Sequence, residues 1–255
     1  AQAFCIGQGG TLTLNATEPS SGRRYALSYS CELRAGAEVS FILNLHGTMP
    51  TENLKGYEHC YFKAHDYLDS HNVVVVTPIA TGSQWRYAQD KQYLLDVVDR
   101  VHDQLEGAGV DVLQMWVAGH SWGGMWLKGG DEADRTGFAC LPELQGRVGG
   151  AIGLAPGGGS TPSCDIPYIH VTGSSDNTGL PVPDMTVLAA SHGCAGPSSE
   201  VDIVDGGNVA EYTTYPGCDR GWAFEDYLRQ GKGHLEEIED NVMRSVMDTV
   251  NSVLE

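Results

Sequence analysis

The sequence has few basic residues for its size. Lys and Arg together number 15 against 33 Asp and Glu, which gives a formal net charge of −18 over 255 residues. Proteins that bind a phosphate backbone or an anionic membrane need clustered Lys and Arg, and the five lysines here occur singly along the chain. The composition therefore predicts no nucleic-acid partner and no membrane partner.

Long hydrophobic runs are also absent. The longest candidate, at residues 73–76, is far shorter than the ~18 to 20 apolar residues that cross a bilayer. Hydrophobic residues make up 41% of the chain and charged residues 19%, which is typical of a globular rather than a disordered protein. We expect a soluble protein in which residues 1–255 form a single domain.

None of the seven cysteines has the C-x-x-C spacing of a metal site. Cysteines without that spacing are typical of exported proteins, in which they form disulfides. Because the chain also lacks an initiator Met, we expect a secreted protein, extracellular or periplasmic; a trimmed chain start is the alternative explanation of the missing Met. The odd count leaves at least one thiol unpaired.

Apolar runs of strand length alternate with segments of helical period along most of the chain. This order predicts an α/β fold with a mostly parallel central sheet and helices on both faces. The segment 10–29 alternates in polarity and contains turn residues, so it predicts an antiparallel hairpin on the sheet edge. The expected strands are 40–45, 73–78, 113–118, 148–154, 166–172 and about 221–228, and the expected helices are 54–68, 93–105 and 235–254.

The sharpest local pattern is Gly119-His120-Ser121-Trp122-Gly123, a G-x-S-x-G between the strand 113–118 and a predicted helix at 124–131. A nucleophile on a sharp strand-to-helix turn needs glycine two positions before and after it, because the backbone folds back on itself there. The helix that follows directs backbone N–H groups at a developing oxyanion. The alternative is a simple Gly/Ser turn, which the preceding strand disfavours. Ser121 is therefore the predicted nucleophile.

An earlier strand, 41–45, ends in His46-Gly47-Thr48. In an acyl-transfer site, one oxyanion donor is the backbone N–H of the residue after the nucleophile and the other comes from an earlier loop. These donors are predicted to be Trp122 and Thr48. His46 is expected to hold its loop by hydrogen bonds rather than to act as the base.

With a nucleophile of this kind, the acid and then the base follow later in the chain. Asp176 lies just past the predicted strand 166–172 and is the predicted acid. Its rivals are Asp165, at the wrong end of that strand, and Asp184 and Asp205, which have no predicted strand directly before them.

Two histidines follow Asp176 in the chain, and His234 is the predicted base because flanking glycines let its loop bring the imidazole over Ser121. His192 is expected to be structural. The triplet His59, His65 and His71 does not share a helix face, since six residues turn a helix by about 240° beyond each full circuit. No metal site and no cofactor are predicted.

Several of these segments together resemble the α/β-hydrolase superfamily, and within it the secreted polyhydroxybutyrate-depolymerase-like and feruloyl-esterase-like branch. The resemblance covers most of the chain, from about Phe41 to His234. The matching segments are L-H-G-T at 45–48, residues 90–98, G-H-S-W-G-G at 119–124, C-D-I-P-Y-I-H-V-T-G-S-S-D at 164–176, the Cys194 and Cys218 pair, and G-K-G-H at 231–234.

The resemblance implies an α/β-hydrolase fold and a lidless serine esterase in which Ser121, Asp176 and His234 are nucleophile, acid and base. The chain departs from the family pattern twice. Trp122 stands after the serine where members often have a small residue, and Leu235-Glu236-Glu237 replaces a Thr-Trp-Pro after the histidine.

These observations lead to a serine carboxylesterase that forms an acyl-enzyme on Ser121 and acts on small or polymeric esters, with short acyl groups, polyesters or hydroxycinnamates as candidates. A serine peptidase or amidase of the same fold is one alternative, and a non-catalytic binding protein of that fold is another. The sequence leaves the oligomeric state open.

Aromatic residues near the predicted site are candidates for an apolar acyl pocket, namely Tyr57, Trp85 and Trp126. No long apolar insertion separates the strands 148–154 and 166–172, so no lid is expected. The expected disulfides are Cys194 with Cys218, Cys140 with Cys164, and Cys5 with Cys31, and Cys60 is left as the free thiol.

Overall fold

The computed structural model describes residues 11–48, 62–128, 136–156, 161–178, 184–219, 222 and 224–252, with side chains outside 11–15 and 199–200. These residues form one continuous sheet with helices on both faces. Within this part of the chain, no helix is both long and apolar enough to cross a membrane.

The sheet contains parallel strands in its centre and an antiparallel hairpin at each edge. Its spatial order is β1-β2-β4-β3-β5-β6-β7-β10-β9-β8. From β4 to β10 all neighbours pair in parallel, whereas β1 with β2, β2 with β4, and the β8, β9 and β10 set pair antiparallel. The strands are β1 (Thr11–Thr17), β2 (Arg24–Ser30), β3 (Glu38–Leu45), β4 (Val73–Pro78), β5 (Asp111–His120), β6 (Val148–Leu154), β7 (Tyr168–Gly173), β8 (Ser199–Asp205), β9 (Asn208–Tyr215) and β10 (Phe224–Arg229).

Successive side chains of the central strands enter two different cores. In β4, Val74 and Val76 belong to one cluster of buried residues, and Val73 and Val75 belong to the other. A strand that is buried on both faces must be apolar at every position, which is why this segment is a continuous run of valine. The predicted mostly parallel sheet with both faces covered is confirmed.

The helices divide between the two faces. Residues of α1 and α3 pack in the first core, whereas α4 and a single 3-10 turn at Ala64–Tyr67 pack in the second. The helices of the described residues are α1 (Tyr87–Gly107), α2 (Trp122–Met125), α3 (Met185–Ser191) and α4 (Asp240–Ser252).

Some helix bounds differ from those that the sequence predicts. The sequence predicts a closing helix from residue 235, but the helix begins at Asp240, because the residues before it form a loop held by polar contacts. The helix after Ser121 begins at Trp122 rather than at residue 124 and is one turn long. Of the helix expected at 54–68, the described part is the 3-10 turn, and residues 54–61 lie outside the described residues.

The hairpin of β8 and β9 is a correction to the predicted fold, which has no strand between 172 and 221. It extends the sheet beyond β10, and its tight turn contains Gly206 and Gly207, both with positive φ. The predicted N-terminal hairpin is confirmed as β1 and β2 at the opposite edge.

Two of the expected disulfides are present, Cys140–Cys164 and Cys194–Cys218. Cys31 is also disulfide-bonded. Its expected partner Cys5 and the expected free thiol Cys60 lie outside the described residues. Each bridge that closes a loop of this length contributes on the order of 2 to 4 kcal/mol.

Candidate active site

The predicted catalytic residues follow strands at one end of the sheet, which we call the site edge to distinguish it from the two edges formed by the hairpins. Because the central strands are parallel, their carboxyl ends meet at this edge. His46 follows β3, Ser121 follows β5, Asp176 follows β7 and His234 follows β10. The strand order places β6 between the nucleophile strand and the acid strand, and β10 directly beside β7.

Ser121 lies on a turn that we call the nucleophile turn, residues 119–124. Its backbone has φ 52° and ψ −113°, in a region that residues with a side chain seldom adopt. The turn ends the strand and starts α2 immediately, so the serine side chain projects from the apex and is partly exposed. The geometry is that of a strained strand-to-helix turn that presents a nucleophile.

Glycines make this turn sterically possible. A Cβ atom on Gly119 would overlap the carbonyl of Gly123, and one on Gly123 would overlap the carbonyl of Leu45 and lie 2.7 Å from that of His46. Any larger residue would push the turn away from the end of β3. The glycines of the G-x-S-x-G pattern are therefore required by close backbone packing.

A chain of hydrogen bonds connects the three residues that the sequence names as nucleophile, base and acid. Nε2 of His234 lies 2.7 Å from Oγ of Ser121. Its Nδ1 lies 2.8 Å from Oδ2 of Asp176. In this arrangement Nδ1–H donates to the carboxylate, and Nε2 is the acceptor for the serine hydroxyl.

Asp176 is held by contacts on its second oxygen. Oδ1 accepts hydrogen bonds from the backbone N–H of Thr178 at 3.2 Å and from its hydroxyl at 3.0 Å. Burial alone would raise the pKa of Asp176, but the hydrogen bonds from His234 and Thr178 outweigh it, and the pKa is lowered. The carboxylate therefore stays ionised and fixes the orientation of the imidazole.

The segment that carries His234, residues 230–239, is called the base segment below. Its first half is bound to the acid loop, residues 174–178, because Ser175 N–H donates to the carbonyl of Lys232 at 2.9 Å and Gly231 N–H donates to the hydroxyl of Ser174 at 2.8 Å. The backbone of Gly173 approaches Lys232 so closely that a side chain there would collide with its carbonyl. The acid loop and the first half of the base segment are thus bound to each other.

The loop after β3 lies against the nucleophile turn. A Cβ atom on Gly47 would lie 3.1 Å from Cβ of Ser121, so the backbone that leads into Thr48 passes directly beside the serine. Thr48 is exposed, and its hydroxyl accepts a hydrogen bond from Gln84 at 3.1 Å. Trp122 is the first residue of α2, where backbone N–H groups lack partners within the helix.

Trp85 joins the two sides of the predicted oxyanion site. Its indole N–H donates to the carbonyl of His46 at 2.9 Å, and its own carbonyl accepts from the indole N–H of Trp122 at 3.0 Å. His46 also holds its loop: Nδ1 donates to the carbonyl of Gly47 at 2.6 Å, and Nε2 accepts from Ala80 N–H at 3.1 Å. His46 thus has the structural role that its position predicts.

Two buried histidines beneath the site are kept neutral. Burial lowers the pKa of His46 to about 4 and that of His120 to about 4. His120 precedes the nucleophile, and its Nε2–H donates to the carbonyl of His234 at 3.2 Å. This bond links the nucleophile turn to the base segment. In the sequence His120 occupies a variable position of the G-x-S-x-G pattern, so the motif does not predict this role.

The rivals for the acid and base have other contacts. His192 Nδ1 lies 3.3 Å from Oδ1 of Asp165, so these two pair with each other. Asp184 caps α3 by accepting from the backbone N–H of Thr186 at 3.0 Å. Asp205 ends β8 and accepts from Asn241 N–H at 3.4 Å.

The structure corrects the predicted acyl-pocket residues. Trp85 is 1% exposed and Trp126 is 2% exposed, and both indoles pack in the core. Trp85 packs against His46 and Trp126 against Phe138, so these rings fill the core rather than line an open site. Tyr57 lies outside the described residues.

One group of side chains in the described part of the chain could supply three metal ligands. His102, Asp103 and Glu106 place one ligand atom each within 4.8 Å of one another. They lie near the end of α1, a helix that runs back from the edge where Ser121 lies, and both carboxylate residues are exposed. Because of this location, the group is separate from the candidate site. Exposed acidic groups on a helix commonly cluster in this way without a metal.

The chain matches no family model and no curated protein sequence. Solved structures do resemble it. An α/β-hydrolase enzyme from a Medee basin deep-sea metagenome library has a TM-score of 0.61 at 12% identity, with 96% of this chain and 98% of that chain covered. The strand order, the helices on both faces and this likeness define the α/β-hydrolase fold, which confirms the predicted fold class.

Two esterases are among the similar structures. Esterase B from Lactobacillus rhamnosis, in a structure with a C4-C4 tributyrin phosphonate, has a TM-score of 0.62 at 12% identity, with coverages of 96% of this chain and 86% of that chain. A thermophilic esterase from Thermogutta terrifontis with butyrate bound has a TM-score of 0.58 at 13% identity, with coverages of 95% and 93%. At these identities the likeness establishes the fold.

Proposed function

We propose that this protein is a serine carboxylesterase that forms an acyl-enzyme on Ser121. The observation that carries the proposal is the hydrogen-bonded chain from Ser121 through His234 to Asp176, with 2.7 Å and 2.8 Å between the bonded atoms. The three residues come from separate loops at one sheet edge. A structural turn needs no such convergence, whereas nucleophilic catalysis does.

In the proposed reaction, Oγ of Ser121 attacks the ester carbonyl while Nε2 of His234 takes the hydroxyl proton. The same nitrogen then protonates the leaving alcohol, and an acyl-enzyme remains. Water attacks the acyl-enzyme by the reverse sequence, with His234 again as base and then acid. The ionised carboxylate of Asp176 keeps the proton on Nδ1 and stabilises the imidazolium that forms between these steps.

The negative charge on the tetrahedral intermediate needs donors beside the nucleophile. We assign this role to the backbone N–H groups of Trp122 and Thr48, since Trp122 starts α2 and the loop of Thr48 passes beside Ser121. Trp85 would hold the two donors at a fixed separation, because it donates a hydrogen bond to the carbonyl of His46 and accepts one from the indole of Trp122.

The proposed substrates are neutral esters with a short acyl group, including polyester and hydroxycinnamate esters. A chain with a net charge of −18 repels polyanionic substrates. The connection between β6 and β7 is short, which argues against a lid. Two proteins of similar structure carry four-carbon acyl compounds, a tributyrin phosphonate and a butyrate, which supports a small acyl site.

The proposed location is outside the cytoplasm, in an extracellular or periplasmic compartment. Cys140–Cys164 and Cys194–Cys218 support it, because disulfides persist mainly in oxidising compartments. Fractionation of the native source, with free thiols blocked before lysis, would test this proposal. Recovery of the oxidised protein from the reduced cytoplasm would contradict it.

Active-site labelling tests the proposed reaction. A fluorophosphonate should label the protein at Ser121, and Ser121→Ala should abolish labelling and lower kcat for p-nitrophenyl acetate by about 10⁴-fold or more. Ser191→Ala is the matched control, since that hydroxyl lies on α3 and donates to the carbonyl of Leu188. The control should label and turn over like the wild type.

A panel of esters and amides then separates the candidate substrates. We expect acetyl to butyryl esters, or methyl hydroxycinnamates, to be cleaved far faster than palmitoyl esters. A kcat/KM that rises steadily with acyl length would contradict the short-acyl proposal. Faster cleavage of peptide or anilide bonds would indicate a peptidase, and labelling of a residue other than Ser121 would contradict the mechanism.

A further inference from the structure

The second half of the base segment, residues 235–239, has no regular secondary structure to hold it. It connects His234 to α4, and its first side chains are turned to solvent, since Leu235 is 78% exposed and the side chain of Glu237 is 71% exposed. Ile238, by contrast, is 0% exposed and packs in the second core. This segment is also where the sequence departs from the Thr-Trp-Pro of the resembling family. The exposed residues between His234 and this buried side chain leave the imidazole free to move unless polar contacts fix their backbone.

Arg229 supplies such contacts from below. It is the last residue of β10 and is 0% exposed. Its Nη2 donates to the carbonyl of Glu236 at 3.0 Å and to that of Glu237, and its Nε donates to Oε2 of Glu239 at 2.7 Å. One guanidinium thereby binds three residues of the base segment just past His234.

The burial of this arginine is balanced by Glu239, whose side chain is 9% exposed. Burial alone would raise the pKa of Glu239, but the hydrogen bond from Arg229 outweighs it, and the pKa is lowered. An isolated buried charge is costly, whereas a paired and hydrogen-bonded one is tolerated. The planar fork of Arg matches two carbonyls and a carboxylate at once, which Lys cannot do.

Contacts on the other side of the histidine complete the arrangement. The ammonium of Lys232 lies 3.3 Å from Glu239 and 3.6 Å from Glu236. Oε1 of Glu236 also accepts from the backbone N–H of Gly233 at 2.9 Å. Residues on both sides of His234 are therefore connected to the same buried ion pair.

We propose that Arg229 is a positioning residue that holds the imidazole of His234 between Asp176 and Ser121 by binding the backbone of Glu236 and Glu237 and the carboxylate of Glu239. The inference rests on the proposed function for its kinetic consequence. Its structural content, that the His234–Asp176 hydrogen bond depends on Arg229, stands independently of catalysis.

Loss of the Arg229 contacts should affect the chemical step more than substrate binding. A displacement of about 1 Å at a catalytic group lowers the rate by about 100-fold. Arg229→Met keeps an unbranched side chain, shorter than that of Arg, and removes every donor, so kcat should fall by about 10- to 100-fold while KM changes less than about two-fold. Arg229→Lys keeps the charge but loses the fork, and Glu239→Gln keeps the shape but loses the counter-ion, so both should give intermediate losses.

A readout that needs no substrate is the low-field proton resonance of the His234 Nδ1–H, which its hydrogen bond to Asp176 produces. We expect this resonance to broaden or disappear in Arg229→Met and to return in part in Arg229→Lys. Two controls accompany the set. Arg147→Met removes an exposed ion pair with Asp99, and Val98→Ala destabilises the core on the opposite sheet face.

The outcomes separate the inference from a general loss of stability. If Arg229→Met loses stability as Val98→Ala does but keeps the wild-type kcat and resonance, Arg229 is only a core ion pair and the inference is wrong. If Arg229→Met does not fold, Arg229→Lys and Glu239→Gln decide the question by the same two measurements. If the wild type hydrolyses no ester, the proposed function fails, and the resonance alone decides whether Arg229 positions His234.

Discussion

The nucleophile turn and the base segment meet at one edge of the sheet but are stabilised differently. The nucleophile turn is fixed by backbone packing, since Gly119 and Gly123 have no room for a Cβ atom. The base segment beyond His234 is held mainly by polar contacts, with Arg229 bound to Glu236 and Glu239. Close steric packing tolerates no larger side chain, whereas a set of polar contacts can be weakened one contact at a time.

The difference has a further effect on strain. Ser121 has a φ of 52°, a conformation whose cost is on the order of 1 to 3 kcal/mol, and the close packing around it keeps it there. No described residue of the base segment other than Gly231 has a positive φ. The nucleophile therefore depends on a strained backbone and the base on side-chain bonds.

The largest expected effect comes from removing the carboxylate that orients the base, at Asp176. Asp176→Asn should lower kcat by about 10⁴-fold, because an amide no longer stabilises the imidazolium or selects the required tautomer of His234. Thr178 still bonds the side chain, so thermal unfolding should change little. Steady-state kinetics and a melting curve measure both. Asp184→Asn is the matched control. If kcat fell in Asp184→Asn and not in Asp176→Asn, the assignment of Asp176 as the acid would be wrong.

A smaller effect, about 10³-fold in kcat, is expected from enlarging the nucleophile turn. Gly123→Ala places a methyl group against the carbonyls of Leu45 and His46, which must push the turn away from β3 and misalign the oxyanion donors. Stability should also fall, by about 1 to 3 kcal/mol. Gly107→Ala, which has open space around it, should change neither. A fully active Gly123→Ala variant would show that backbone packing does not fix the turn.

The mildest test uses pH to charge two buried histidines near the site, of which His120 connects the nucleophile turn to the base segment. His46 and His120 have a pKa of about 4 in the folded protein against 6.5 when unperturbed. Below about pH 6.5 the unfolded chain therefore binds protons that the folded protein does not, and stability is lost as pH falls toward 4. The loss is at most about 3 kcal/mol for each histidine.

Chemical denaturation at pH 7, 5.5 and 4.5 measures this slope. His120→Asn should flatten it in part, since one of the two titrating groups is gone. An identical pH slope in the His120 variant would show that His120 does not contribute to the loss of stability.

Sequence patterns predict the parts of this molecule that are encoded locally. The valine run of β4 and the strand before Ser121 are continuous apolar segments, and the glycines around Ser121 satisfy a steric need that the motif itself expresses. The chain order of nucleophile, acid and base then selects Asp176 and His234 among their rivals. The structure brings these three residues within hydrogen-bond distance, while their catalytic roles stay a prediction.

Other features depend on contacts between distant segments. Arg229 looks like any basic residue at a strand end, and nothing local shows that it is buried against Glu239. The burial of Trp85 and Trp126 likewise depends on rings that other segments of the chain bring against them, because an aromatic residue suits a core as well as a pocket. The hairpin of β8 and β9 did have a local signal, the Gly206-Gly207 turn between two segments that alternate in polarity.

The strand order has a consequence for any attempt to transplant this triad into a designed protein. Neighbouring strands lie about 4.8 Å apart, so the ends of β5 and β7 are separated by about 10 Å with β6 between them. One imidazole with a hydrogen bond at each nitrogen bridges the remaining gap between Ser121 and Asp176. A one-residue slip of β7 would move the acid by about 3.3 Å and break the bridge. A host scaffold would therefore need the same two-strand separation and the same register before any side chain is chosen.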